Sequence, residues 1–187
     1  MELEIHLGGS GGQGILLIGN VLAYGGLKAG LEVSWIPSYG AERRGGVSFC
    51  AVTLADRPIA CPVTDRPGLT LVMDNRALAT HLPRVRPGGI LLVNESLVTR
   101  TVERADLRVF RVPFHGIAEG ISAPLTANMV GLGAILRLEP VLTLEVVQKT
   151  LADVLGPKKS RFIPANLQAL AKGYEVAGSL PGAPPPK

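Results

Sequence analysis

The sequence predicts an α/β fold: a mostly parallel sheet with helices on both faces, followed by a helical C-terminal third. Three observations predict it. Apolar and β-branched runs alternate with segments of helical periodicity through the first two thirds of the chain. Two of those runs, residues 69–73 and 90–93, are uncharged and apolar but for Thr70, as strands covered on both faces are. From Thr126 onward, apolar residues recur only at helical spacing.

Taken in order, residues 3–7 form a short β-like run that enters a glycine turn, residues 8–14. Ile15, Leu16, Ile18, Val21, Leu22 and Leu27 then follow a helical period, with the stop expected near Gly30, where a left-handed cap is free of a Cβ clash. Residues 33–36 read as a second strand halted by Pro37, and residues 47–54 as a third, with a turn at Asp56-Arg57-Pro58. The fourth strand, residues 69–73, carries Asp74 at its carboxyl end and leads to a short helix, residues 77–82, closed by Pro83. Pro87-Gly88-Gly89 turns into strand 90–93 with Asn94 at its end, and residues 107–112 make a further strand. Thr126 is expected to N-cap a helix through Leu138, stopped before Pro140. Thr143 opens another, with Leu144, Val147, Leu151, Val154 and Leu155 on one face. The last helix carries Leu167, Leu170, Ala171 and Tyr174 at i, i+3, i+4 and i+7. Residues 1–178 thus read as a single α/β domain and residues 179–187 as a Pro-rich tail expected to be disordered.

Composition narrows the class. The chain has 187 residues, 47% of them apolar, and a net charge of +4, which suits one ordered domain with its own core. The uncharged stretch from residue 5 to 27 holds eight glycines with Ser10, Gln13 and Asn20, a poor composition for a membrane helix. Met1-Glu2-Leu3-Glu4 is acidic where an export signal is basic. Cys50 and Cys61 stand outside any CxxC or His spacing suited to a metal, so no metal site is expected, and two thiols without a leader read as reduced and cytoplasmic. Few aromatics and no basic run argue against nucleic acid.

Twelve of the 23 glycines lie between Gly8 and Gly46, so the chemistry is sought there, at the carboxyl ends of the first two strands. Gly9-Ser10-Gly11-Gly12-Gln13-Gly14 satisfies three patterns. As GxGxxG it is a dinucleotide fingerprint, but the acid needed at the end of strand two is replaced by Ile36-Pro37. As GxxxxG it begins a phosphate-binding loop, but Ile15-Leu16 stands where Lys-Ser/Thr is required. As Gly8-x-Ser10-x-Gly12 it matches a nucleophile elbow, yet only one strand precedes it, and Asp74, His81 and His115 are unspecific partners. Common to all three is a glycine turn with free amides at a helix start, able to receive an anion or to let another backbone approach closely. A purely packing role for these glycines is the alternative reading.

The second cluster is Pro37-Ser38-Tyr39-Gly40-Ala41-Glu42-Arg43-Arg44-Gly45-Gly46. Arginines beside a Gly-Gly pair can hold a phosphate or carboxylate bidentately while the backbone comes close. The alternative is a solvated loop in which Glu42 pairs with the arginines.

With these two clusters the sequence resembles the gamma subunit of 2-oxoacid:ferredoxin oxidoreductases. The resemblance rests on residues 8–14 (GGSGGQG), residues 37–46 (PSYGAERRGG) and Asp56-Arg57-Pro58-Ile59. It continues through Arg86-Pro87-Gly88-Gly89 with Asn94-Glu95-Ser96, then Asn128-Met129-Val130 to Gly133, and residues 166–173, covering about residues 3–177. Arg43 stands where many relatives carry Met or another apolar residue. The second loop looks most like the 2-oxoglutarate branch, with the 2-oxoisovalerate and pyruvate branches as competitors. The resemblance implies a Rossmann-like domain that is not catalytic alone. It implies partnership with alpha and beta subunits, extending to a ferredoxin-like delta subunit, and with ferredoxin through the complex. Thiamine diphosphate, Mg²⁺ and iron–sulfur clusters are then expected in those partners, none in this chain, and coenzyme A as co-substrate. The candidate binding residues are Gly9, Gly11, Gly12, Gln13, Gly14, Ser38, Tyr39, Glu42, Arg43, Arg44, Gly45 and Gly46, facing the entrance of the complex's active site. A stand-alone nucleotide- or acyl-CoA-binding protein and a purely structural interaction subunit are the alternative readings.

Overall fold

Alternating and continuous apolar runs build six strands in the computed structural model, which describes residues 1–39, 46–62 and 65–185. In chain order these are β1 (Glu2–Ser10), β2 (Glu32–Tyr39), β3 (Val47–Ala55), β4 (Leu69–Val72), β5 (Ile90–Asn94) and β6 (Arg108–Val112). They form one sheet in the order β2-β3-β1-β4-β5-β6. β4, β5 and β6 continue from β1 in parallel, whereas β3 runs antiparallel to both β1 and β2. The helices are α1 (Ile15–Lys28), α2 (Asn75–His81), α3 (Phe114–Gly120), α4 (Ala127–Leu138), α5 (Leu144–Leu155) and α6 (Ile163–Gly178).

Helices cover both faces, unequally. One face meets α1, α3, α4, α5 and α6 around a core that includes Leu7, Ile18, Leu71, Phe114, Met129 and Leu170. Each such fully buried side chain contributes roughly 1.5–3 kcal/mol relative to exposure. The other face carries a smaller cluster, Val72, Leu78, Val85, Leu91, Val93 and Val98, under α2 and the 3-10 turn Leu82–Arg84. Strand alternation explains the division: Ile5 and Leu7 join the large core, while His6 and Gly8 lie beneath His81 of α2.

The thickest contact is a helix crossing. α4 and α6 meet at Gly133 and Gly173, where an added Cβ would collide with the Leu170 and Val130 carbonyls respectively. Without side chains there, the two backbones approach to near contact. α4 is accordingly buried all round, from Ala127 to Leu138.

Several expectations are corrected. β1 extends through Gly8 and Gly9 to Ser10, because Gly8 leaves room for His81, whose ring carbon would sit 2.5 Å from a Cβ there. Pro37 does not stop β2; it lies inside an edge strand opposite Cys50, where a missing N–H need not meet a neighbour. Thr126 does not cap α4, since its hydroxyl donates to the Ala123 carbonyl at 2.7 Å. Thr143 does cap α5, accepting from the Val146 amide at 3.3 Å. The buried face of α6 is Asn166, Ala169, Leu170, Gly173 and Ala177, so Ala171 points outward.

The segment from Ser179 to Pro185, expected to be disordered, lies against the domain in the structure. Leu180 and Ala183 pack on the core, Arg108 donates to the Gly182 carbonyl at 2.8 Å, and Arg137 donates to the Pro184 carbonyl. Proline could not predict this, because the tail is held by two arginines far away in sequence.

Candidate functional site

The carboxyl ends of β1, β4 and β5 lie side by side, and a cleft of about 160 Å³ opens above them. Its first wall is the glycine turn. Gly12 and Gly14 take φ of 96° and 75°, the left-handed region that only glycine enters without strain. A Cβ at Gly14 would also collide with Asn128, whose side-chain amide donates to the Gly14 carbonyl at 3.4 Å. Gln13 folds back, its side-chain oxygen accepting from the Ser10 amide at 2.6 Å. The turn therefore delivers the start of α1 with no side-chain cap and no acidic residue in its first turn. Those free amides and the positive helix end suit an anion.

The second wall comes from residues distant in sequence. Asn94, fully buried at the end of β5, donates to the Met73 carbonyl at 3.0 Å and contacts His115 Nδ1 at 3.1 Å. Because Met73 offers only an acceptor, the Asn94 nitrogen must face it, and His115 Nδ1 must then accept. In the neutral ring the His115 proton sits on Nε2, leaving a donor on a residue that lines the cleft. Asn94 Oδ1 is buried without a partner among the described residues. Asn128, also lining the cleft, adds a third amide side chain. Sequence reasoning placed Asp74 and Asn94 at strand ends but did not select His115 or Asn128 as site residues; both belong to elements that only the fold brings to the glycine turn.

Ser10 and Asp74 have a structural task. The Ser10 hydroxyl donates to Asp74 Oδ2 at 2.7 Å, while Asp74 Oδ1 accepts from the Ala77 amide at 2.9 Å and caps α2. No histidine lies between them: His81 stacks on Phe49 at 4.8 Å and His115 is engaged by Asn94. The nucleophile-elbow reading is thereby set aside. The dinucleotide reading fails on topology as well as on its missing acid. β2, whose end should carry the acid beside β1, is separated from β1 by the antiparallel β3, with Val47 opposite Ser10.

The glycine turn and the described ends of the second cluster meet at one edge of the sheet. β2 ends at Tyr39, β3 begins at Val47 opposite the end of β1, and the Gly11 amide donates to the Gly46 carbonyl at 2.8 Å. Gly9, Gly11, Gly12, Gln13, Gly14 and Gly46 are thus brought together. Ser38 lies exposed on β2 and Tyr39 closes that strand. Glu42, Arg43, Arg44 and Gly45 lie outside the described residues.

The protonation landscape is uneven. Burial, with His6 and then Arg84 adding to it, lowers the His81 pKa to about 4. Burial pushes the Cys50 thiol up to about 12. Both groups are core features, on opposite faces of the sheet from one another. Among the described residues no cluster of three or more His, Cys, Asp or Glu could hold a metal ion, and no helix is long and apolar enough to cross a membrane.

Comparison with known proteins agrees with this architecture. The family profile described as pyruvate ferredoxin/flavodoxin oxidoreductase matches residues 4–176. The chain is 38% identical over 183 residues to the 2-oxoglutarate synthase subunit KorC of Methanocaldococcus jannaschii, covering 96% of each. It superposes with a TM-score of 0.82 and 27% identity on the keto/oxoacid ferredoxin oxidoreductase gamma subunit of Geobacter sulfurreducens, over 95% of this chain and 97% of that one. The 2-oxoglutarate:ferredoxin oxidoreductase of Magnetococcus marinus, solved with 2-oxoglutarate, coenzyme A and succinyl-CoA, gives a TM-score of 0.88 at 25% identity. Our chain is 98% covered in that match and spans 32% of the solved one, about a third of its length. On its sequence match and its fold, the chain belongs to the pyruvate ferredoxin/flavodoxin oxidoreductase family, as a gamma-type subunit.

Proposed function

We propose that this gamma-type subunit serves a complex that oxidatively decarboxylates 2-oxoglutarate, passing the acyl group to coenzyme A and the electrons to ferredoxin. In this reading the chain docks on alpha and beta subunits and uses its glycine-turn edge to position coenzyme A at the active-site entrance. The observation that carries it is the 2.8 Å bond from the Gly11 amide to the Gly46 carbonyl. That bond ties the anion-suited turn directly to the loop whose sequence holds Arg43 and Arg44. Free amides at the turn and guanidinium groups in the adjoining sequence are both chemically suited to phosphates such as those of coenzyme A. The choice of 2-oxoglutarate is supported by two similar proteins, a 2-oxoglutarate synthase subunit and a 2-oxoglutarate:ferredoxin oxidoreductase.

Thiamine diphosphate, Mg²⁺ and iron–sulfur clusters belong in this reading to the partner subunits, where they supply the decarboxylation and electron transfer. This chain's own groups bind and orient. His115 and Asn128 present side-chain donors beside the turn, and Gln13 holds the turn's shape through Ser10. The test is the coenzyme A KM of complexes carrying Arg43→Ala or Arg44→Ala, with 2-oxoglutarate, pyruvate and 2-oxoisovalerate as alternative substrates. A rise of about tenfold, the scale of one lost charge-assisted contact, with little change in kcat is expected. An unchanged KM overturns the binding role, and a preference for another 2-oxoacid overturns the substrate.

A further inference from the structure

The short turn between α3 and α4 holds one apolar side chain almost fully in solvent. Leu125 is 91% exposed, well beyond the other large apolar side chains of the described surface. It is not there through looseness. The Ser122 amide donates to the Glu119 carbonyl at 2.9 Å, the Ala123 amide to Ala118 at 2.8 Å, and the Thr126 amide and hydroxyl both to Ala123. Ser122 itself takes φ of 55°, a left-handed conformation that costs a non-glycine residue about 1 kcal/mol or more. A strained, hydrogen-bonded turn thus fixes Leu125 as a knob.

Beside the knob runs an apolar groove of about 500 Å³, floored by Leu17 of α1, Leu155 of α5, and Phe162 and Ala165 at the start of α6. Its far rim is the 3-10 turn Pro157–Phe162, which carries Lys158, Lys159 and Arg161 and no acid. Among the described residues these three exposed cations have no carboxylate partner, and Arg161 instead lies over the Phe162 ring at 4.7 Å. An apolar floor with a knob on one side and unpaired cations on the other is complementary to one occupant in particular. Leu125 lines both this groove and the cleft beside the glycine turn, so covering its whole side chain takes an extended surface that reaches over both.

We propose that this groove receives an amphipathic helix of a partner subunit in the same complex. Its apolar residues at i, i+3 and i+4 would straddle Leu125 and Phe162, and its Asp or Glu side chains would face Lys158, Lys159 and Arg161. The proposal rests on the gamma-subunit reading above and names the surface through which that subunit assembles.

The experiment co-expresses the full chain with the alpha and beta subunits of its own complex and measures association by size exclusion and by titration at low and high salt. Leu125→Asp is expected to weaken association at least tenfold with an unchanged melting temperature, since the side chain is out of the core. Lys158→Glu with Lys159→Glu is expected to weaken it tenfold and to flatten its salt dependence. A photo-cross-linking residue at position 125 should capture a partner peptide with acidic and apolar residues at helical spacing. Unaltered association of Leu125→Asp overturns the proposal while leaving the gamma-subunit reading intact. Failure of the wild-type chain to join the complex overturns both. Self-association of the isolated chain that Leu125→Asp abolishes would give the surface to a second copy, and also overturns it.

Discussion

Ser10 Oγ donates a 2.7 Å hydrogen bond to Asp74 Oδ2, joining the end of β1 to the start of α2 across 64 residues of sequence. The same carboxylate caps α2 through the Ala77 amide. Removing Asp74 therefore loses a helix cap and leaves a hydroxyl unmatched. Asp74→Ala should cost about 2–3 kcal/mol, and Ser10→Ala about 1 kcal/mol, in urea unfolding. A double-mutant cycle should return a coupling of about 1 kcal/mol; additivity of the two would mean the bond contributes nothing.

Gly133 and Gly173 should tolerate no side chain. Each added Cβ would strike a backbone carbonyl of the facing helix, which cannot rotate away as a side chain could. Gly133→Ala or Gly173→Ala should destabilise by about 3 kcal/mol, lowering the melting temperature by roughly 6–12 °C in a domain of this size. A change under about 2 °C in calorimetry would mean that α4 and α6 are not in near contact.

Stability should fall in mild acid because of His81. Its folded pKa of about 4 lies below the ordinary histidine value of 6.5, so between those values the unfolded chain binds more protons than the folded one. Stability is then fully present above about pH 6.5 and is lost as pH falls toward 4, by on the order of 2–3 kcal/mol. His81→Gln, which cannot titrate, should flatten that part of the profile in chemical denaturation from pH 7.5 to 4. An equally steep profile in the variant would place the acid sensitivity elsewhere.

The two thiols should differ sharply. Cys50 is fully buried with its pKa pushed up to about 12, whereas Cys61 is exposed. A disulfide-exchange reagent at pH 8 should modify Cys61 at once and reach Cys50 only on addition of denaturant. Rapid reaction of both in the native protein would contradict the packing of Cys50 against α1.

The segment after α6 should matter to stability. Truncation after Gly178 removes the Pro184 carbonyl from Arg137, which is buried and lies over the Tyr174 ring at 5.7 Å. Loss of a hydrogen bond to a buried charge predicts a decrease of about 1.5–3 kcal/mol. Restoring stability to the truncated chain with Arg137→Met would tie the effect to that arginine.

What the amino-acid sequence determined by itself was local: which segments are strands, which are helices, and where the glycine turn falls. Residues 69–73 and 90–93 announce buried strands because an uncharged run, apolar but for Thr70, has nowhere else to go, and Thr143 announces α5 because its hydroxyl acts only three residues away. The glycine side of the site was legible for the same reason, since Gly12 and Gly14 need their conformations within a single turn. Only the tertiary structure decided the rest. It set β3 antiparallel beside β1, so that Gly46 and the start of β3 lie next to the glycine turn. It brought His115 and Asn128 to the site, closed α4 on α6 through Gly133 and Gly173, and placed the tail against Arg137. Each of these pairings joins residues tens of positions apart. Periodicity and capping act within about one helical turn, whereas strand order and helix crossing are selected by the burial of the whole apolar surface at once.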